Sequence, residues 1–130
     1  MSIRGVGVDI VETARVFRLY ERYGARFLAR AFHPRERAAA AALPPAALPG
    51  FLSSRWAAKE ALHKALGSQR LLFPDVEVAR GSGGGPPALV LHNAALRYQR
   101  EQRLALHLSL SHERTSSVAF VVASTAPAAE

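Results

Sequence analysis

The sequence predicts an α+β fold, a mostly antiparallel sheet packed against one long helix. Three observations carry that reading. Residues 51–66 form a run rich in helix formers, closed by Gly67 in the position where a glycine ends helices. Residues 104–111 alternate apolar and polar side chains, residues 116–123 are the best strand in the chain, and the short segment 112–115 joins the two as a hairpin. The elements follow the order strand, helices, strand, strand, helix, strand, strand, as in α+β domains.

The first strand is expected over 3–11, where Ile3, Val6, Val8, Ile10 and Val11 are β-branched. Gly5 and Gly7 weaken it entropically but let another backbone or a ligand come close. Thr13 is the expected N-cap of a first helix, with Val16, Leu19, Tyr20, Tyr23 and Phe27 at helical spacing and Gly24 as its end or bend. A second short helix starts at Pro34 and runs through the alanines to Leu43. Residues 43–50, LPPAALPG, are an exposed connection. Strands are expected over 75–80 and 88–91, with a flexible Gly- and Pro-rich turn at 81–87 between them. A helix follows over 93–103, and the tail from Thr125 is expected to fray.

At 130 residues the chain fits one domain, 1–130, and its 49% hydrophobic content is enough to build a core. Much surface stays exposed at this size, so burial by self-association is compatible with it. The absence of cysteine excludes disulfides, thiolate metal sites and cysteine nucleophiles. The first residues lack the basic-then-apolar run of a signal peptide, and no apolar stretch reaches the about 18 residues that span a membrane. A cytoplasmic protein without membrane association is the expectation. The formal net charge of +7 favours polyanionic partners: nucleic acid, anionic lipid, a phosphorylated ligand or an acidic protein. Only two of the 17 basic residues are lysines, and both, Lys59 and Lys64, fall in the long helix.

On that helix, at 100° per residue, Phe51, Ala58, Ala61, Leu62, Ala65 and Leu66 share the core face, and Trp56, Glu60 and Lys64 lie opposite. Glu60 and Lys64 at i, i+4 read most simply as a solvated ion pair. Asp9 changes the weighing. It interrupts the apolar strand GVGVDIV, where a carboxylate must be hydrogen-bonded, paired or on a metal. Mg²⁺ takes one or two carboxylates and fills its shell with water and phosphate oxygens, a share that Asp9 and Glu60 can supply. The third constellation is 108–113, LSLSHE. Its His112 is either a capping or surface residue or a group that binds phosphate or moves a proton.

Together GVGVDIVET, RWAAKEALHKALG and LSLSHE resemble the motifs of the holo-acyl-carrier-protein synthases, within the 4′-phosphopantetheinyl transferase superfamily, in order and separation. Weaker matches fill the gaps, among them 27–36 and the strands DVEV and ALVL, so the resemblance spans nearly the whole chain. It implies a 4′-phosphopantetheinyl transferase-like fold. It also implies transfer of phosphopantetheine from coenzyme A to a serine of an apo-acyl carrier protein, in the service of fatty acid biosynthesis and lipid metabolism or of polyketide synthesis. Asp9 and Glu60 become the Mg²⁺ ligands, with the pyrophosphate of coenzyme A completing the shell. Lys64, Arg55 and His112 contact coenzyme A, and His112 also serves in proton movement. The serine attacks the β-phosphorus and adenosine 3′,5′-bisphosphate leaves, with Glu60, through a metal-bound water, as the candidate base. A homotrimer with sites between subunits is implied as well.

The chain departs from the family pattern twice. His33 stands where the family has the Thr of a Thr-x-x-Glu turn, and Ser68-Gln69-Arg70 replaces a glycine after Gly67. Arg15, Arg18 and Arg22 form one edge of the first helix, extended by Arg26 and Arg30 if Gly24 keeps the phase. The resemblance makes this edge the dock for the acidic carrier protein. Two rival readings compete with this one. A nucleic-acid-binding module is suggested by the pI of about 11.0, but zinc-finger spacing and aromatic-rich ribonucleoprotein strands are missing. A non-catalytic scaffold is opposed by the intact Asp9, Glu60, Lys64 and His112.

Overall fold

The computed structural model describes residues 2–67, 69–80 and 84–127. The chain runs β1 (Ile3–Glu12), α1 (Thr13–Tyr23), α2 (Ala25–Ala31), α3 (Pro34–Ala41), α4 (Leu48–Ala65), β2 (Val76–Ala79), β3 (Ala88–Leu91), α5 (Asn93–Glu101), β4 (Leu104–His112) and β5 (Ser116–Thr125). Short 3₁₀ turns at Pro45–Ala47 and Phe73–Asp75 lead into α4 and β2. The α+β fold with antiparallel strands and one long helix is therefore present. The strands divide into two sheets, a three-stranded one in the order β1-β5-β4 and a two-stranded one pairing β2 with β3. Part of the expected Gly-rich turn, 81–83, and Ser68 of the departing loop lie outside the described residues.

Register decides what each face of the larger sheet does. Gly7 pairs with Val121, Asp9 with Ala119 and Val11 with Ser117, while Leu108, Leu110 and His112 continue those rows on β4. Period two sends these side chains to the face that α4 covers. Small residues line both sides of that contact: Ala119 and Ala123 on β5, and Ala57, Ala58, Ala61 and Ala65 on α4. A Cβ at Gly5 would overlap the Ala65 carbonyl oxygen, and one at Gly7 the Ala61 carbonyl oxygen. The close neighbour that these glycines admit is thus the α4 backbone.

The opposite face is apolar and uncovered. Val6 pairs with Val122, Val8 with Phe120 and Ile10 with Val118. Val6 and Val8 remain 54% exposed, Ile10 70% and Phe120 44%. An apolar patch continuous across two paired strands exceeds the scattered exposure normal for a monomer surface.

Several local expectations are corrected. Thr13 is the first helical residue, not the cap. Glu12 holds the cap position without a side-chain bond, and the Thr13 N–H donates to the Thr115 carbonyl at 2.9 Å. Gly24, at φ +55°, separates α1 from α2, so the arginine edge ends at Arg22. α3 stops at Ala41, short of Leu43. The helix α4 starts three residues before the predicted run and buries more of its circumference than one stripe, because α1, α3 and β2 pack on the side away from the main sheet.

That wider burial includes Lys59, which is fully buried. Its ammonium donates to Glu36 Oε1 at 2.7 Å, to the Phe73 carbonyl at 3.0 Å and to the Val76 carbonyl. Desolvation pulls the Lys59 pKa below its ordinary value, against the opposing pull of Glu36. Glu36 is nearly as buried and accepts two backbone N–H bonds, from His33 at 2.9 Å and Val78 at 3.0 Å. One carboxylate thus ties the start of α3 to β2 and α4. Lys59→Met removes the ammonium while keeping the stem and leaves Glu36 buried without its cation. The expected cost is about 3–5 kcal/mol, read from urea unfolding at an unchanged slope. A loss below about 1 kcal/mol would show that the brace contributes little.

Candidate active site

Asp9 sits on the α4 side of β1, its side chain 16% exposed, and its Oδ1 accepts from Lys64 Nζ at 3.0 Å. The same ammonium donates to the Val8 carbonyl at 3.0 Å. The strand carboxylate is therefore paired. The simpler Glu60–Lys64 pair does not form, and among the described residues the carboxylate bound to Lys64 is that of Asp9. Glu60 is half-buried one turn before Lys64, on the same side of α4. Lys64 is 53% exposed, so its ion pair contributes little stability and its ammonium is free to exchange partners.

A cavity of about 340 Å³ opens beside Lys64, lined also by Arg4, Gly5, Gly67, Tyr98 and Gln102. Arg4 donates to Gln102 Oε1 at 3.5 Å. Two cations in a concave polar wall suit an anionic ligand. Arg4 was not singled out from the sequence; one basic residue at the start of a strand gives no periodic signal.

Arg55 and His112 stand apart from this cluster within the chain. Arg55 precedes Lys64 by two and a half helical turns, which places it on the other side of α4 and about 13 Å along the axis. Its Nη1 donates to Ser54 Oγ at 3.1 Å, and its guanidinium lies over the Phe51 ring, 4.1 Å from the centroid. Its Nε is buried without a partner among the described residues, and burial lowers its pKa. His112 is exposed at the end of β4, opposite Ser117. Because β5 lies between β4 and β1, His112 is about 10 Å across the sheet from the strand that carries Asp9.

Arg15, Arg18 and Arg22 are all exposed on α1, and none makes an ion pair with a carboxylate among the described residues. Arg26 and Arg30, on α2, line a second groove of about 420 Å³ with Leu19, Tyr23, Phe27, Trp56 and Phe73. The His33 departure is absorbed by the fold. His33 Nδ1 accepts from the Arg35 N–H at 3.1 Å while Glu36 accepts from the His33 N–H, so an imidazole replaces the hydroxyl in a capping box.

Residues 5–121 match the model of the 4′-phosphopantetheinyl transferase superfamily. A holo-[acyl-carrier-protein] synthase of Desulfovibrio desulfuricans is 40% identical over 123 residues, covering 92% of this chain and 96% of the relative. One from Solidesulfovibrio magneticus is 43% identical over 124 residues, covering 92% and 97%. The solved holo-[acyl-carrier-protein] synthase of Neisseria meningitidis superposes with a TM-score of 0.86 at 31% identity, covering 95% of this chain and 99% of its own. That of Bacillus anthracis, in complex with CoA (3′,5′-ADP), gives 0.80 at 31% identity, covering 97% and 100%. The chain belongs to the 4′-phosphopantetheinyl transferase superfamily and, within it, to the holo-acyl-carrier-protein synthases.

Proposed function

We propose that the chain transfers 4′-phosphopantetheine from coenzyme A to a serine of an apo-acyl carrier protein, with Mg²⁺, releasing adenosine 3′,5′-bisphosphate. The observation that carries this reading is the Asp9–Lys64 pair, with Glu60 one turn away, beside a cavity walled by Lys64 and Arg4. It is supported by the Bacillus anthracis neighbour, which holds CoA (3′,5′-ADP). We place the reaction in the cytoplasm and in fatty acid biosynthesis.

The donor set fits magnesium. Asp9 and Glu60 offer hard carboxylate oxygens and no imidazole, and their small number leaves room for phosphate oxygens. The ion held by these two residues would neutralise charge on the pyrophosphate. Lys64, half in solvent, passes from Asp9 to a phosphate oxygen when coenzyme A enters, and Arg4 holds the anion against the opposite wall. The carrier serine Oγ attacks the β-phosphorus, the bond to the bridging oxygen breaks, and the adenosine bisphosphate carries away that electron pair. Glu60 accepts the serine proton through a water. Positioning and charge compensation account for most of the catalysis that such a transfer needs.

The same reading includes a homotrimer assembled through the apolar sheet face of Val6, Val8, Ile10 and Phe120, with sites between subunits. A neighbouring copy would bring its Arg55 or His112 to the cluster from which each is separated within one chain. Arg15, Arg18 and Arg22 form the dock for an acidic carrier helix, acting mainly through steering and register.

Three measurements test these assignments. Asp9→Asn and Glu60→Gln should each lower turnover of apo carrier protein by orders of magnitude at moderate Mg²⁺ while leaving the circular dichroism unchanged; near-normal turnover in either removes the metal assignment. Ile10→Asp should yield monomers by light scattering and lose activity with them, whereas an active monomer refutes the shared site. Reversing Arg15 and Arg22 to Glu should raise the carrier KM severalfold and leave the coenzyme A KM unchanged. An unaltered carrier KM would move docking to another surface.

A further inference from the structure

His33, Glu77 and His92 meet at the smaller sheet, away from the Asp9–Lys64 pair. They come from three elements: the cap of α3, the strand β2 and the residue that joins β3 to α5. One ligand atom from each lies within 4.8 Å of the others. His92 Nε2 is 2.9 Å from Glu77 Oε1, and His33 Nδ1 is 3.8 Å from the same oxygen. These spacings bracket the edge of a tetrahedral shell whose bonds are about 2.0–2.2 Å long. We propose that His33, Glu77 and His92 form a second metal site, selective for a transition-metal ion of the zinc type and separate from the magnesium pair.

The donor chemistry sets that selectivity. Two imidazoles and one carboxylate suit zinc, cobalt or nickel, whereas Mg²⁺ binds through oxygen. Backbone bonds hold the three residues in place. The His33 N–H donates to Glu36, the His92 N–H donates to the Asp75 carbonyl at 2.8 Å, and Glu77 pairs with Val90 in the β2–β3 ladder. Burial, then the neighbouring His92, lowers the His33 pKa, a shift toward the unprotonated form.

Four contacts must give way as the ion enters. The His92 proton shared with Glu77 moves to Nδ1 by a change of tautomer. The His33 Nδ1 lone pair leaves the Arg35 N–H. The two rings, stacked at 4.1 Å with planes 18° apart, tilt so that both lone pairs point to one centre. The histidine side chains are 15% and 24% exposed, which gives them room to turn. Arg35, bonded to Glu77 at 3.3 Å, is 72% exposed and can swing into solvent when a cation takes its place. Three protein ligands leave the fourth position to water or an anion.

The test is calorimetric titration of the full chain with Zn²⁺ in excess Mg²⁺, which occupies the oxygen site. One equivalent per chain is expected, with a rise in Tm and the intense visible absorption of tetrahedral Co²⁺ when cobalt is substituted. His33→Thr is the informative variant, because threonine still caps α3 while removing a ligand. The metal-free Tm should therefore hold. Zn²⁺ affinity should fall by more than the about 10–100-fold that follows loss of an outer-shell partner. His92→Gln should behave alike, and His112→Ala should titrate as wild type. Absence of the Zn²⁺ equivalent, or wild-type affinity in either His33→Thr or His92→Gln, overturns the site.

Discussion

Helix α4 can lie against strand β1 only because that strand has no side chains at Gly5 and Gly7, where the carbonyl oxygens of Ala65 and Ala61 occupy the space a Cβ would need. This backbone-to-backbone approach fixes both the height and the phase of the helix. With Ala61 and Ala65 seated on the glycines, Lys64 points past the strand and meets Asp9 two residues further on. A helix held off by one methyl would carry its lysine and glutamate away from that carboxylate. The small residues of β5 and α4 extend the close contact across the sheet, so the geometry of the Asp9–Lys64 pair depends on a layer of alanines and glycines.

The other side of α4 is held by charge. Lys59 and Glu36 are both removed from water, and such a pair costs much of what it gains by Coulomb attraction. What it adds is direction: the carboxylate accepts from two backbone N–H groups and the ammonium donates to two carbonyls, so few alternative arrangements satisfy all the partners. Glu60 is the next residue along the helix. The orientation of the candidate base is thus set from one side by glycine contact and from the other by a buried ionic brace.

Much of this was legible in the sequence. The alternation of β4, the apolar run of β5 and the helix-forming run of α4 gave the right elements with ends off by a few residues. Asp9 drew notice because an acid in an apolar strand requires a partner, and the structure supplies Lys64. The burial of Lys59 escaped notice because a lysine on a helix reads as solvated unless a second layer covers it, and that layer is assembled from α3 and β2, remote in sequence. Thr13 was misplaced by one residue because its hydroxyl fits the cap preference, whereas the strand carries on through Glu12 and leaves the Thr13 N–H to bond the β4–β5 turn. Arg55 and His112 were grouped with Asp9 through motif resemblance. Their separation is a matter of helical phase and strand order, which motif spacing does not encode.

Strand β1 presents two unlike surfaces in strict alternation. Gly5, Gly7 and Asp9 face the helix, and Val6, Val8 and Ile10 face outward. Because the period is two, inserting or deleting a single residue between Gly5 and Asp9 would exchange the faces beyond it. Valines would meet the α4 backbone where there is no room for them, and the carboxylate would emerge in the middle of an apolar patch. Length variation in this segment is therefore restricted to changes that preserve parity, and even two residues would carry Asp9 a full strand repeat, about 6.6 Å, past Lys64. The strand admits exchange of one apolar side chain for another at its outward positions far more readily than any change in its length.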